Sequence, residues 1–180
     1  MSSIKASVFF DTKFQPDMTR FLDTEVITKP DKETLRTIVY KRAEEVYPNF
    51  HSSLFTNIRP EAIKRNSLLP NVRLWMTLKH LAHYPVLVKN MFLLKNDEKR
   101  GKYTVYLNRR GVKVEVEVDT QLPFLKAYEG LIPAFTQVEG DDIWPLLVEK
   151  AISKLDGNFD FFFSKRAIIE TRISWSSMSS

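Results

Sequence analysis

The sequence predicts an α+β domain in which a few helices surround a small antiparallel sheet. Three observations predict this fold class. Residues 112–118 alternate valine with charged side chains, which is typical of a half-buried strand. Apolar residues recur at helical spacing over residues 74–82 and again over 143–155. The 180 residues are 43% hydrophobic and 12% aromatic, which is enough for one core and excludes the composition of a disordered chain.

The first part of the chain predicts short elements that prolines separate. Residues 8–23 are rich in aromatic side chains and are interrupted by Pro16, so we expect an irregular strap. Residues 30–40 fit two structures, because Asp31 can cap a helix while the apolar residues up to Tyr40 also suit an extended run. Residues 42–47 predict a short helix that ends before Pro48.

The middle of the chain predicts two helices and a hairpin. The first helix starts at Asn71, which can cap it, and ends before Pro85. A second helix is expected over residues 86–94, and the hairpin joins residues 103–107 to 112–118 through a turn at 108–111. The four valines of the hairpin should face inward. The inward residues of the two helices should be Leu74, Trp75, Leu78, Leu81 and Ala82, then Val86, Leu87, Met91 and Phe92.

The last part of the chain predicts one further helix. Leu122 and Pro123 should end the second hairpin strand, and residues 124–140 should form loops. Asp141 and Asp142 should open the helix, where carboxylates suit the positive end of the helix dipole. Residues 174–180 should be a frayed polar tail. The apolar stripe of the helix would consist of Ile143, Leu146, Leu147, Ala151 and Leu155.

The composition excludes several classes of site. The chain has no cysteine, which rules out thiol nucleophiles, disulfides, zinc–thiolate sites and iron–sulfur clusters. The formal net charge of +5 is a mild bias. The densest basic stretch, residues 95–102 with Arg109 and Arg110, is interrupted by Asp97 and Glu98, so we expect no nucleic-acid binding. Acidic protein partners, such as a microtubule surface, agree with this charge.

The N-terminus has no apolar signal region, and no apolar run approaches the roughly 18 residues of a membrane span. We therefore expect a cytoplasmic protein without membrane contact.

Four segments, in this order, resemble segments of the calpain family of cysteine proteases. Residues 144–159, WPLLVEKAISKLDGNF, resemble the family's W-x-x-L-L-E-K-A-Y-A-K-L-x-G-S-Y. Residues 116–123 resemble V-x-V-D-D-x-L-P, residues 40–46 resemble W-K-R-x-x-E-I, and residues 10–16 are similar to F-x-D-x-x-F-P. The resemblance implies the papain-like fold of the family's first protease-core subdomain.

The resemblance fails at the nucleophile. When the chain is aligned with the family's Q-G-x-L-G-D-C-W motif, Val72 occupies the position of the cysteine and Arg73 that of the following tryptophan. The glutamine of the oxyanion hole falls on Asn66, or on Arg65 if the loop is shifted by one residue. Such proteases need a thiolate at a helix N-terminus, and a valine side chain has neither a lone pair nor a proton to transfer. Pro70 also removes a backbone N–H from this turn. We therefore expect no catalytic residue and no protease activity.

The resemblance also implies where other functional groups would lie. Family calcium sites in this half use carbonyl and carboxylate oxygens, which makes Glu139, Asp141 and Asp142 weak calcium candidates. Helix capping is the favoured interpretation of these carboxylates, because the other expected acidic position falls near the apolar Ile63.

Three further features favour ordinary structural roles. His80 and His83 have a spacing that some metal sites use, but no third ligand accompanies them or His51, so we expect surface histidines. Ser67 lacks the G-x-S-x-G context of a nucleophile. The phenylalanine cluster at 159–163 favours core packing over an exposed docking edge.

These expectations divide the chain into an N-terminal tail (1–7), an inactive calpain-like subdomain (8–163) and a C-terminal extension (164–180). In the family, the catalytic His and Asn belong to a following subdomain, which would begin roughly where this chain ends. The sequence looks similar to degenerate calpain-like proteins of protists, trypanosomatids especially, some of which associate with the cytoskeleton or flagellum. We expect a non-enzymatic module, without a cofactor, that binds microtubule or axonemal proteins. The alternative is a regulatory subunit that pairs with an active calpain or with a His-bearing second subdomain.

Overall fold

The protein has an α+β architecture, as the sequence predicts. The computed structural model describes residues 7–14, 29–50, 54–67, 72–94, 97–128 and 130–156. Within these ranges, five α-helices surround eight strands that form three small antiparallel sheets. None of the described helices is long and apolar enough to cross a membrane.

The first part of the chain alternates short helices and strands. The two possibilities for residues 30–40 both occur, since a helix runs to Arg36 and a strand begins at Ile38. The short helix before Pro48 is confirmed. The elements are α1 (Lys29–Arg36), β1 (Ile38–Arg42), α2 (Ala43–Val46), a 3-10 turn (Pro60–Ala62), β2 (Ile63–Arg65), α3 (Val72–Leu81), α4 (Pro85–Asn90) and β3 (Phe92–Leu93).

The second part contains most of the sheet structure. The elements are a 3-10 turn (Glu98–Arg100), β4 (Lys102–Arg109), β5 (Val112–Asp119), β6 (Gln121–Ala127), β7 (Gly130–Pro133), β8 (Thr136–Val138) and α5 (Trp144–Asp156). The sheets have the strand orders β1-β6-β7, β2-β8 and β3-β4-β5.

The hairpin of β4 and β5 has the predicted alternation. Its register pairs Lys102 with Asp119 at the base and Arg109 with Val112 at the end. Three of the four valines pack inward, but Val112 is 64% exposed because the hairpin extends past the core at that end.

The prediction of loops over residues 124–140 is wrong, because β6, β7 and β8 lie there. Leu122 and Pro123 do not end a strand but belong to β6, the middle strand of its sheet. Residues 122–125 are all buried, so this strand is covered on both faces and shows no polar alternation to reveal it. Pro123 has no N–H to donate, but its carbonyl accepts a hydrogen bond from the backbone N–H of Ala134 at 3.0 Å.

The prediction of one helix over residues 86–94 is wrong in extent. Helix α4 begins at Pro85 and ends at Asn90. Proline suits the first helical position, because the N–H that it lacks would have no partner within the helix. Phe92 belongs to β3, which pairs with β4. Val86 is 69% exposed and Val88 takes the buried position, whereas Met91 and Phe92 are buried as predicted.

Helix α5 lies at the centre of the fold. Every residue from Asp142 to Ser153 is buried, so this part of the helix has no face open to solvent, and the predicted apolar stripe is only part of its buried surface. It packs against β4, β5 and β8. This placement puts Glu149, Lys150 and Ser153 in the interior among apolar side chains.

The described part of the predicted strap, residues 8–14, has no helix or strand and is held to the rest of the protein by backbone hydrogen bonds. The N–H of Phe9 donates to the carbonyl of Arg100 at 2.8 Å, and the guanidinium of Arg42 donates to the carbonyl of Phe9 at 2.7 Å. The predicted cap Asn71, the phenylalanine cluster at 159–163 and the polar tail at 174–180 lie outside the described residues.

Candidate functional site

The start of helix α3 is the position at which the sequence resemblance places a nucleophile. Val72 is the first residue of this helix, and its side chain is 39% exposed. Leu74, Leu78 and Leu81 hold the opposite face of the helix in the core. The indole Nε1 of Trp75 donates to the carbonyl of Ile63 at 3.2 Å, which fixes the helix to β2. The helix is therefore firmly held, but its first residue offers only a hydrocarbon.

Asn66, at the position of the oxyanion-hole glutamine, has a structural partner. Its side chain is 1% exposed, and its Nδ2 donates to the carbonyls of Pro133 and Ala134, both at 2.9 Å. These two bonds use both amide hydrogens. The amide therefore joins the end of β2 to the connection between β7 and β8, and it has no hydrogen left for a developing oxyanion. Arg65, the alternative position, is exposed on β2.

The three calcium candidates have separate partners. Glu139 is half exposed and forms ion pairs with Arg59 and Lys64, each at 3.6 Å. Asp141 accepts a hydrogen bond from the backbone N–H of Asn49 at 3.2 Å. No group of three or more His, Cys, Asp or Glu side chains among the described residues is arranged to hold a metal ion. The carboxylates as placed therefore do not fit a shared calcium site.

Asp142 holds a loop against the start of α5. Its carboxylate accepts hydrogen bonds from the backbone N–H of Asn57 at 2.5 Å and from the hydroxyl of Thr56 at 3.3 Å. Burial raises the pKa of Asp142, and the hydrogen bonds from Asn57 and Thr56 oppose that rise. The Asp142 carboxylate bonds to this loop instead of capping the helix, because it lies two positions before the first helical residue, Trp144, and Ile143 occupies the cap position.

The remaining candidates stay at the surface. His80 and His83 are both exposed, and their rings lie 6.1 Å apart in an edge-to-face arrangement. His80 also lies edge-to-face with Tyr84 at 5.7 Å. Ser67 is exposed at the end of β2, and His51 lies outside the described residues. The exposure of His80 and His83 agrees with the prediction of surface histidines.

A buried charge cluster is the feature that sequence reasoning missed. The ammonium of Lys150 contacts the Asp119 carboxylate and donates to the carbonyl of Gln121 at 2.6 Å. The backbone N–H groups of Asp11 and Gln121 also donate to the Asp119 carboxylate, at 2.9 and 3.0 Å. Lys154 donates to the Asp11 carboxylate at 2.6 Å. Burial alone would raise the pKa of Asp119, but the charge of Lys150 and these hydrogen bonds hold it below its ordinary value.

Glu149 is buried on another side of helix α5, and no cation of the described residues forms an ion pair with it. Its carboxyl accepts hydrogen bonds from the backbone N–H of Thr136, at 3.2 Å, and from the Thr136 hydroxyl. Burial raises the pKa of Glu149 to about 8. The side chain borders a small apolar cavity whose other walls are Leu122, Pro123, Pro133, Ala134, Phe135 and Leu146.

The sequence carries no local signal for these buried groups. Glu149, Lys150, Ser153 and Lys154 recur at helical spacing opposite the apolar stripe, which is the pattern of a solvated helix face. Their burial follows from the strands and the N-terminal segment that cover this face in the folded protein.

Residues 9–170 match the family model described as calpain family cysteine protease, which is well over half of the 180 residues.

Proposed function

Because the chain belongs to the calpain family of cysteine proteases, we propose that it is a non-enzymatic member that binds other proteins in a structural or scaffolding role. One observation carries the proposal: the chain has no cysteine at any of its 180 positions. The family's chemistry begins with a thiolate that attacks a peptide carbonyl, and no other residue type in this chain supplies that nucleophile.

The surroundings of α3 support the same conclusion. Val72 presents a hydrocarbon at the start of the helix, and Asn66 uses both amide hydrogens on backbone carbonyls. The core beneath them is nevertheless well packed, with Leu78 and Leu147 completely buried. A maintained scaffold without the reactive groups suits a role in binding rather than in bond cleavage.

The absence of catalysis is tested with the purified full chain and a mixed fluorogenic peptide library, with and without calcium. The expected result is no hydrolysis above the buffer rate. The matched variant is Ser67→Ala, which removes an exposed hydroxyl near the start of α3. If the natural chain hydrolyses a peptide and the Ser67→Ala variant does not, the proposal is overturned in favour of a serine enzyme.

We propose that the protein binds its partners in the cytoplasm, on microtubule-rich structures of the cytoskeleton or cilium. Source cells are extracted with detergent, and the fraction that holds the protein is analysed by crosslinking and mass spectrometry. Retention in the insoluble cytoskeleton with crosslinks to tubulin or axonemal proteins is the expected result. A soluble protein with no reproducible crosslinked partner would count against the whole proposal.

A second function, regulation of an active calpain, is favoured by one observation. Val72 and Met76 lie one helical turn apart on α3 and are 39% and 58% exposed, so an apolar strip faces outward at this position. In this alternative the strip packs against a partner subdomain that carries the catalytic histidine. This alternative predicts that the protein co-purifies with such a protease. The double variant Val72→Asp, Met76→Asp should lose the protease, whereas Val86→Asp should keep it. Val86 is the control because it is an exposed apolar residue of the next helix.

A further inference from the structure

Ser67 carries an exposed hydroxyl that follows the short strand β2. The strand ends at Arg65, where its pairing with β8 stops. Asn66 turns inward, and its buried amide fixes this point of the chain to the carbonyls of Pro133 and Ala134. Ser67 comes directly after that anchor and is exposed. The fold therefore presents the hydroxyl at the surface, outside the hydrogen bonds of the sheet.

Other surface hydroxyls of the described residues differ from Ser67 in their bonds or in their neighbours. The hydroxyls of Thr37 and Thr77 donate to backbone carbonyls, at 2.7 and 3.0 Å. Thr12 is exposed, but residues 8–11 before it contain one acid and no cation. Ser67 differs from Thr12 in this respect, because two cations precede it.

The two cations lie at fixed positions before the hydroxyl. Lys64 is three positions before Ser67 and Arg65 is two positions before it, and both side chains are exposed. The Lys64 ammonium lies 3.6 Å from the Glu139 carboxylate, in a pair whose side chains are 59% and 48% exposed. Solvent screens so exposed a pair, and it contributes little. Both cations are therefore accessible to an acidic surface that approaches from outside.

The segment from Lys64 to Ser67 begins in an extended strand. At about 3.3 Å per residue, roughly 10 Å of chain separates the Lys64 position from that of Ser67. Of these four residues, only Asn66 is buried. An enzyme that reads the side chains of an extended segment thus meets the two cations and the hydroxyl together at the surface.

We propose that Ser67 is a phosphorylation site for a serine/threonine protein kinase whose substrate groove carries carboxylates. Those carboxylates pair with Lys64 and Arg65, and the planar guanidinium can bind one of them through two parallel hydrogen bonds. Charge patterns at fixed positions are a known source of kinase specificity. The proposal assigns to the exposed hydroxyl a chemistry that a second enzyme supplies, so the chain itself needs no catalytic group.

The reaction is a phosphoryl transfer from ATP. The Ser67 Oγ attacks the γ-phosphorus, and a new P–O bond forms to it. The bond from the γ-phosphorus to the oxygen that bridges it to the β-phosphorus breaks, and ADP leaves with that bonding pair. The hydroxyl proton passes to the catalytic aspartate of the kinase.

The phosphate changes the charge of this part of the surface. Residues 59–67 contain three cations and one carboxylate, which gives a formal net charge of +2. A phosphoserine adds about −1.5 to −2 at pH 7, so it cancels most or all of that charge. Because Ser67 is exposed, the phosphate remains hydrated and the core keeps its packing. The modification therefore acts on the surface charge and leaves the fold unchanged.

The test uses the purified full chain, ATP and the catalytic subunit of cAMP-dependent protein kinase, which selects basic residues before the hydroxyl. Fragmentation mass spectrometry locates the phosphate. We expect it on Ser67, and the Ser67→Ala variant should carry none in this segment. Thr12→Ala is the matched control, since it removes an exposed hydroxyl without preceding cations and should be phosphorylated at Ser67 like the natural chain.

Recognition of the cations is tested with Arg65→Gln, which keeps the hydroxyl and removes one charge. The kcat/KM for phosphorylation of Ser67 should fall about tenfold or more, because a charge-assisted pair with the kinase is lost. Lys89→Gln, at an exposed lysine elsewhere, should stay within about twofold of the natural chain. Both variants should melt close to the natural chain. An unchanged kcat/KM in Arg65→Gln would overturn the proposed recognition.

A synthetic peptide of residues 61–70 shows whether the fold leaves the site accessible. The full chain should be phosphorylated at a rate within about tenfold of the peptide's, because the side chains that the kinase reads are already exposed. If the peptide is a substrate and the full chain is not, the fold hides Ser67 and the proposal is overturned. In source cells treated with a phosphatase inhibitor, the segment that contains Ser67 should be recovered with a phosphate. Recovery of the unmodified segment alone would also overturn the proposal.

Discussion

Lys150 and Asp119 form an ion pair whose side chains are only 1% and 3% exposed. The pair joins the central helix α5 to the end of β5. Lys154, one turn further along α5, binds Asp11 of the N-terminal strap. One cluster of charges therefore holds the helix, the hairpin and the strap together in the interior.

Replacing Lys150 with Met should lower the free energy of unfolding by about 3–5 kcal/mol, because it leaves the Asp119 charge buried without its cation. Urea unfolding, followed by circular dichroism, measures the change. The control is Lys41→Met, which removes the exposed ion pair with Glu45 and should change stability little. Equal effects from both substitutions would contradict the importance of the buried pair.

Glu149 makes the stability of the protein depend on pH. Its pKa rises from an ordinary value of 4.5 to about 8 on folding, so the folded state binds more protons between these values. The free energy of unfolding should therefore fall as pH rises through this window, by up to about 1.4 kcal/mol per pH unit from this group. Above about pH 8 its contribution should become constant.

Glu149→Gln removes this titration while keeping a group that can bond to Thr136. Stability measured between pH 5 and 8 should fall less steeply in this variant, and the variant should gain most over the natural chain near pH 8. Glu61→Gln, at an exposed position, is the control and should leave the slope unchanged. If the stability of Glu149→Gln and that of the natural chain change with pH in the same way, Glu149 is not the source of the pH dependence.

Asn66→Ala should destabilise the fold by about 1–3 kcal/mol, because it deprives the Pro133 and Ala134 carbonyls of a buried donor. Thermal unfolding of this variant and of Ser67→Ala, its exposed neighbour, provides the measurement. The Ser67 variant should melt close to the natural chain. If Asn66→Ala has the same melting temperature as the natural chain, the Asn66 amide has no structural role.

Two residues on opposite faces of α3 should respond differently to truncation. Leu78 is completely buried, so Leu78→Ala should cost about 2–5 kcal/mol through lost packing and a cavity. Met76 is 58% exposed, so Met76→Ala should stay within about 0.5 kcal/mol of the natural chain. Urea unfolding of both variants checks the orientation of the helix, and similar losses would contradict it.

The elements that the sequence predicts well are those with local signals. The hairpin has a strict two-residue alternation, and α3 has apolar residues at helical spacing, so each pattern lies within a few neighbouring residues. The strands β6, β7 and β8 lack such a signal. Residues 122–125 are apolar without alternation, and a proline within them wrongly suggests an end to the strand.

The same limit applies to the candidate site. The absence of cysteine and the valine at position 72 are visible in the sequence, but the bonds that use both amide hydrogens of Asn66 are not. The carbonyls that it binds lie 67 and 68 positions further along the chain. The separate partners of Glu139, Asp141 and Asp142 are likewise set by loops distant in sequence.

The sequence by itself determined the fold class, the resemblance to the calpain family and the lack of a thiol, because each depends on residue types and short spacings. Only the tertiary structure decided which charges are buried, which partner each has and which valine of the hairpin is exposed. Burial depends on segments that meet in space, such as Asp11 and Lys154, which are 143 positions apart. No local pattern contains that information, since the free energy of a buried charge depends on the groups that surround it after folding.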